Sequence, residues 1–203
     1  MIVQCDFDET VTIGYVSTAI RESFARKISG RLGKMLDDYL LGKYSVEQTN
    51  IRQFAHVKVH SKDEVEQFVT RNVVVRPGFR KFVQYCQRIG MELVIVSSGL
   101  DLYIKPTLRK LGLDHLQIYA GHATITDDGI DIKYTDPSGK VITQGFKESY
   151  LRHFKSQGKK ILYIGDGLSD VVPAMEADFV IARSKLEKKF RERNLPYFEF
   201  ETF

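Results

Sequence analysis

Three short apolar runs stand out along the chain, at residues 2–5, 92–96 and 160–164, and small or acidic residues follow each at once. The followers are Asp6-Phe7-Asp8, Ser97-Ser98-Gly99 and Gly165-Asp166-Gly167. Near-continuous apolar strands separated by helical periodicity predict buried parallel strands of an α/β sheet. Helical patterning over 79–89 stops at Gly90, and that over 102–111 stops at Gly112, with Pro106 inside it as an expected kink or late start. Between the first strand and Pro77 the pattern is helical throughout, over 17–28, 32–41, 45–54 and 61–70. Ser45-x-x-Gln48 and Ser61-x-x-Glu64 are capping-box signatures for two of these helices. This block is too long for a simple crossover and predicts a small helical cap over 15–74, inserted into a core made of 1–14 and 75–203. Residues 124–143 alternate around turns at Asp127-Asp128-Gly129 and Asp136-Pro137-Ser138-Gly139, which predicts a β-hairpin appendage. The expected fold is a doubly wound α/β sheet with a helical cap and that hairpin.

Composition narrows the class without changing this picture. At 203 residues, 43% hydrophobic and 28% charged, the chain can bury a core, and disordered, collagen-like and disulfide-stapled classes are excluded. Cys5 and Cys86 are the only cysteines, too few for a Cys-rich zinc site. No apolar run approaches the roughly 20 residues of a membrane span, and the first residues lack a signal-peptide pattern, so a cytoplasmic, membrane-free protein is expected. A net charge of +4 is mild. Basic residues gather at Arg21, Arg26, Lys27, Arg31 and Lys34, and again over 183–193, where Glu187 and Glu192 interrupt them. Neither group forms the coherent stripe that nucleic acid needs, and a small anionic substrate is the better expectation.

Ligands of open α/β sheets gather beyond the carboxyl ends of the strands. That rule draws Asp6, Asp8, Thr10, Ser97, Ser98, Asp166 and Asp170 towards one crevice. Carboxylates so crowded call for a hard cation with oxygen ligands, most simply Mg²⁺, with Asp6, Asp8, Asp166 and Asp170 as the candidate ligands. Lys147 is the best-placed side-chain cation. This set suits phosphoryl transfer to an enzyme carboxylate. Asp6 is the candidate nucleophile, and Asp8 the acid that protonates the leaving alkoxide and the base that then activates water. Thr10, Ser97, Ser98 and Gly99 are candidates for holding the phosphoryl oxygens. A lone Asp-x-Asp after an apolar run reads as a turn or cap; the ordered set of four clusters is what carries the reading.

Asp6-Phe7-Asp8-Glu9-Thr10, Ser97-Ser98-Gly99, Lys147 and Gly165-Asp166-Gly167-Leu168-Ser169-Asp170 resemble the four ordered motifs of the haloacid dehalogenase superfamily, closest to its phosphoserine-phosphatase-like branch. The resemblance implies Asp6 as nucleophile, Asp8 as acid/base, Ser97 on phosphate and Lys147 steadying charge. It also implies Mg²⁺ held by Asp6, Asp166 and the main-chain carbonyl of Asp8, with Asp170 as a ligand or directly behind one. The segment from Gly42 to Gln48 resembles a cap segment of that branch, and Ser98-Gly99-Leu100-Asp101 and Leu111-Gly112-Leu113-Asp114 are also similar to that branch. The tail from Ala182 to Phe203 is more similar to the methionine-salvage hydroxyketo-methylthiopentenyl-phosphate phosphatases.

Departures from the pattern bear on substrate. Tyr15 stands where phosphoserine phosphatases carry a Glu for the substrate ammonium, and Ser169 replaces the Asn of the last motif. The Cys-rich stretch that the methionine-salvage enzymes carry before the motif Lys is absent. Tyr15, Ser169 and Arg52, one position out of register with a cap Arg of that branch, are the candidate substrate contacts. The expectation is a Mg²⁺-dependent phosphomonoesterase for a small phosphorylated metabolite, with Tyr15 favouring a neutral tail unless another acid such as Glu22 supplies the charge. Its rivals are a phosphotransferase to a small hydroxyl acceptor and a phosphate-binding module without turnover; an intact Asp8 argues against the latter. His56 and His60 share helical spacing but lack a third ligand and read as packing. Cys5 reads as a small buried residue. Phe24, Met35, Tyr39 and Phe54 read as cap core, with one or two free to line the pocket. Asp37, Asp38, Asp127, Asp128 and Asp131 read as solvent-facing.

Overall fold

The structure is a computed structural model that describes residues 1–25 and 29–203. The strands are β1 (Ile2–Cys5), β2 (Thr12–Ile13), β3 (Val74–Val75), β4 (Glu92–Leu100), β5 (Gln117–Ile125), β6 (Ile130–Thr135), β7 (Val141–Ile142), β8 (Ile161–Gly165), β9 (Phe179–Ala182) and β10 (Phe198–Glu199). The helices are α1 (Val16–Phe24), α2 (Ser29–Leu40), α3 (Val46–Phe54), α4 (Lys62–Asn72), α5 (Phe79–Arg88), α6 (Asp101–Lys110), α7 (Phe146–Ser156), α8 (Val171–Glu176) and α9 (Ser184–Glu192). The strands β10-β9-β8-β1-β4-β5-β6-β7 form one sheet in that order, parallel from β10 to β5 and antiparallel from there to β7. The three apolar runs are thus the adjacent strands β8, β1 and β4, with β1 fully buried between its neighbours. The chain leaves β1 in both directions, so the crevice beyond its carboxyl end is the switch point where ligands of such sheets bind.

The predicted hairpin is built of β5–β7, but it continues the main sheet and is not appended to it. Its tip meets the helical block: a Cβ on Gly129 would lie 2.2 Å from the Ala55 carbonyl oxygen. Only glycine allows the two backbones to approach so closely. Pro106 lies inside α6, which starts at Asp101 and runs through it.

Helices α1–α4 fill the interval between β2 and β3, which pair antiparallel. The helix predicted over 17–28 spans Val16–Phe24; its residues 26–28, with Arg26 and Lys27 of the first basic group, lie outside the described residues. The capping box at Ser45 is complete. At Ser61 the hydroxyl accepts from Glu64 N, while Glu64 turns its carboxylate to the His60 N–H instead of closing the box. Among the described residues no helix is long and apolar enough to cross a membrane.

One buried arginine holds the loop after β1. Arg76 donates through Nε to Thr10 O (2.9 Å) and through Nη2 to Glu9 O (2.8 Å) and Thr12 O (3.1 Å), while Nη1 reaches Glu201 O (3.0 Å). Arg183 Nη1 adds bonds to the Glu9 carbonyl (2.7 Å) and carboxylate (2.8 Å). Glu9 has φ +59°, a left-handed conformation costly for a residue with a Cβ, and these bonds hold it there. Arg76→Met strands several buried carbonyls. We expect it to lower stability by about 2–4 kcal/mol, a Tm loss of roughly 5–12 °C by calorimetry. An unchanged Tm would contradict this role for the arginine.

Candidate active site

The carboxyl ends of β1, β4 and β8 bring the sequence motifs together. Asp6 follows β1, Ser97, Ser98 and Gly99 form the irregular end of β4, and Asp166 follows β8. Oxygen atoms of Asp6, Asp166 and Asp170 lie within 4.8 Å of one another, and all three residues are buried. Lys147, on the first turn of α7, reaches Asp6 Oδ1 (2.8 Å), Asp170 Oδ1 (2.6 Å) and Ser169 Oγ (3.4 Å), one acceptor for each of its three protons. Burial alone would lower the Lys147 pKa, yet Asp170 and Asp6 hold it well above its usual value, so it remains an ammonium.

Asp170 is saturated. Its Oδ1 accepts from Lys147 and from the Tyr163 hydroxyl (2.6 Å), and its Oδ2 accepts from the N–H groups of Asp166 (3.1 Å) and Gly167 (2.8 Å). With all four lone-pair directions occupied, this carboxylate ties the loop and the lysine together. A Cβ on Gly165 would sit 2.7 Å from the Asp170 carboxyl carbon, which is why glycine precedes Asp166.

Asp8 stands apart from the acidic cluster. Its Oδ2 accepts from the buried Tyr103 hydroxyl (2.7 Å) and its Oδ1 from the Val16 N–H (3.1 Å) at the start of α1. Burial raises its pKa, and the bonds from Tyr103, Ser17 and Val16 offset part of that rise. Four carboxylates were expected to crowd one point; three do, and the fourth is aimed towards the helical block. Nothing in the sequence singled out Tyr103, whose pattern is that of an ordinary apolar position in α6.

A cavity of about 240 Å³ opens between the cluster and helices α1–α3, lined by Asp6, Asp8, Ser97, Ser98, Gly99, Lys147, Asp166 and Ser169 from the core side. The Ser98 hydroxyl is buried without a partner, whereas Ser97 Oγ accepts from the Gly99 N–H (3.0 Å). The Ser98 carbonyl is fixed by Asn50 Nδ2 (2.8 Å) and the Tyr134 hydroxyl (2.6 Å), an anchor from α3 and β6 that sequence reading missed. Gly99 leaves no room for a side chain, since a Cβ would lie 2.1 Å from the Tyr103 hydroxyl.

Three expected contacts are arranged differently. Thr10, expected on phosphate, is fully buried and donates to Asp166 Oδ1 (3.2 Å). Tyr15 does line the cavity, but its hydroxyl donates to Asp166 Oδ2 (2.9 Å), so its polar end addresses the acidic cluster before any substrate tail. Arg52 lies outside the cavity lining, its guanidinium 4.2 Å from the Tyr44 ring centre. One residue of α3 turns a side chain by about 100°, so Gln53 faces the cavity where Arg52 does not. Glu22 is not part of the lining either. Tyr39 lines the cavity and Phe54 is buried in the core, in line with their reading as pocket and cap packing. Cys5 is buried with its thiol pushed well up by burial, the environment of an inert thiol.

A profile of the haloacid dehalogenase-like hydrolases matches residues 3–176, spanning all four motifs. The chain belongs to that family. Relatives named 2-hydroxy-3-keto-5-methylthiopentenyl-1-phosphate phosphatase are 30% identical in Brevibacillus brevis, over all of this chain and 91% of that protein, and 31% in Geobacillus thermodenitrificans, over all of this chain and 92% of that protein. This member of the family is a phosphatase. Its backbone resembles a phospho-aspartyl intermediate analogue of phosphoserine phosphatase, with a TM-score of 0.68 at 19% identity over 99% of this chain and 93% of that one. A phosphoserine phosphohydrolase-like protein from Francisella tularensis gives 0.69 at 22% identity, over 99% and 94%. At these identities the likeness is one of fold.

Phosphatases of this family generally use Mg²⁺, and the residues present fit such an ion. Three buried carboxylates face one lysine paired to them, Lys147, among the described residues, the donors are all oxygen, and burial together with Asp170 raises Asp166 to about 7. Asp6 is likewise held well above the carboxylate range by burial, with Lys147 offsetting part. Without a cation, a carboxylate raised from 3.8 to about 7 contributes stability at acid pH that is lost as pH rises through about 7. Mg²⁺ binding needs the ionised form and releases the proton. We therefore expect Mg²⁺ to raise Tm more at pH 8 than at pH 6 in a thermal-shift titration. Equal increments at both pH values would contradict Asp166 as a ligand.

Proposed function

We propose that the chain is a cytoplasmic Mg²⁺-dependent phosphomonoesterase that hydrolyses a small phosphorylated metabolite through an aspartyl phosphate on Asp6. Residues 1–14 and 75–203 act as the catalytic core and 15–74 as its cap. The observation that carries this reading is the single cavity floor shared by Asp6, Lys147 and the partnerless Ser98 hydroxyl, with Asp8 held at its wall.

The chain's own residues have these roles. Lys147 holds Asp6 Oδ1, which leaves the other carboxylate oxygen to attack phosphorus. As the new P–O bond forms, the bond to the substrate alkoxide breaks, and Asp8 delivers its proton to that alkoxide. A raised pKa suits Asp8 to carry the proton at the outset. Asp8, now ionised, takes a proton from water as it attacks the phosphorus of the aspartyl phosphate, and Asp6 departs as carboxylate. Ser97, Ser98 and nearby N–H groups hold the equatorial oxygens. Asp6, Asp166 and the Asp8 carbonyl would hold Mg²⁺, which would supply positive charge against the repulsion between the Asp6 carboxylate and the phosphoryl group. Transfer to a second hydroxyl in place of water is the alternative, and product analysis with and without acceptor alcohols separates the two.

For the substrate, the lining favours a tail without an ammonium. An ammonium in a closed pocket needs an opposing carboxylate, and the only carboxylates lining the cavity among the described residues are Asp6, Asp8 and Asp166. Leu36, Tyr39, Leu40 and Val46 supply an apolar wall. This supports a neutral-tailed phosphate ester of the kind named in the relatives, 2-hydroxy-3-keto-5-methylthiopentenyl-1-phosphate. In a screen with Mg²⁺, kcat/KM for phosphoserine should lie about 30- to 150-fold below the best neutral-tailed ester, the loss of one charge-assisted hydrogen bond. Phosphoserine as the best substrate would overturn this assignment.

A further inference from the structure

Arg21 projects from α1 into the lining of the same cavity. Its Nη2 donates to Thr18 Oγ1 (2.9 Å), and its guanidinium lies 5.5 Å from the Phe54 ring centre, so the plane is held from two sides. Its Nη1 is buried and has no hydrogen-bond partner. The cation makes no ion pair among the described residues. A buried donor on an unpaired charge is expensive to leave unmade, and such a group in a binding cavity is explained when a ligand supplies the acceptor. Asn50, in the same lining, already gives Nδ2 to Ser98 O and to the Tyr134 hydroxyl.

Position decides which part of a ligand it meets. Asp8 is bound to the first N–H of α1, and Arg21 follows on the same helix, close enough to feel the Asp8 charge. The proton donor faces the bridging oxygen of the ester, so a group beyond it on the cap side faces the leaving alcohol and not the phosphoryl oxygens. We propose that Arg21 is a specificity-determining residue that reads an oxygen acceptor, carbonyl or carboxylate, on the leaving-group half of the substrate. This rests on the phosphatase reading of the cavity; a carbonyl agrees with the neutral tail proposed above, whereas preference for the carboxylate probe would replace that neutral tail and keep Arg21 as its reader.

The test is calorimetric binding, with Mg²⁺ present, of four non-reacting probes: orthophosphate, butylphosphonate, 3-oxobutylphosphonate and 3-phosphonopropionate. The unmodified protein should bind at least one oxygen-bearing tail about tenfold or more tightly than the alkyl tail. The ketone and the carboxylate arms tell which acceptor is preferred. In Arg21→Met that preference should fall to within about threefold, and Arg21→Lys should retain part of it. Orthophosphate binding with no tail preference in the unmodified protein overturns the inference alone, even if neither variant folds. A preference that survives in folded Arg21→Met also overturns it. Failure of all four probes, orthophosphate included, removes the phosphatase reading of the cavity and this inference with it.

Discussion

Asp6→Asn is expected to leave less than about 1% of the turnover of the unmodified protein while the fold persists. The amide matches the carboxylate in shape, so packing around β1 is kept, but it is a poor nucleophile. The substitution also relieves the crowding of Asp6 with Asp166 and Asp170, whose oxygens lie within 4.8 Å of one another. A Tm equal to or above that of the unmodified protein should therefore accompany the lost activity when no cation is added. Activity above about 1%, in a preparation free of other phosphatases, would count against Asp6 as the attacking group.

Asp8→Asn should separate the two halves of the reaction. An alkyl ester needs a proton on its departing oxygen, so kcat should fall by about 10²- to 10⁴-fold. An aryl ester with an acidic phenol leaves without that help. With such an ester the first half-reaction should survive far better than the second, where no base remains to activate water. The expected signature is a burst of phenol followed by a slow steady state, read by stopped flow. Equal losses on both esters with no burst would place the Asp8 defect outside proton transfer.

The strands and their polar ends were legible because a buried parallel strand must be apolar until it ends, and the site begins where it ends. That logic placed Asp6, Ser97 and Asp166 at strand ends without reference to helices α1–α4. What it left out depends on long-range placement. Arg76 carried no expectation from the sequence, yet the fold buries it among the carbonyls of Glu9, Thr10 and Thr12. Tyr103 and Tyr134 carried no expectation either, and only tertiary packing aims their hydroxyls at Asp8 and at the Ser98 carbonyl. Arg52 stays out of the lining for a local reason, since one residue of helical register separates the cavity face from the Tyr44 ring. Arg21 was counted only as part of a basic cluster; its unpaired nitrogen exists only once α1 packs against Phe54. Tyr15 lines the cavity, and its hydroxyl engages Asp166, a partner 151 positions away in sequence.

The central claim is covalent chemistry at Asp6. The Asp8→Asn variant, mixed with an aryl phosphate and Mg²⁺ and quenched in acid during the burst, should hold an acyl phosphate. Borohydride reduction of that species converts the modified residue to homoserine, which peptide mass spectrometry can locate. Homoserine at position 6 in an amount matching the burst is the predicted result. A burst of phenol with position 6 unmodified, or with homoserine at another aspartate, would contradict the account.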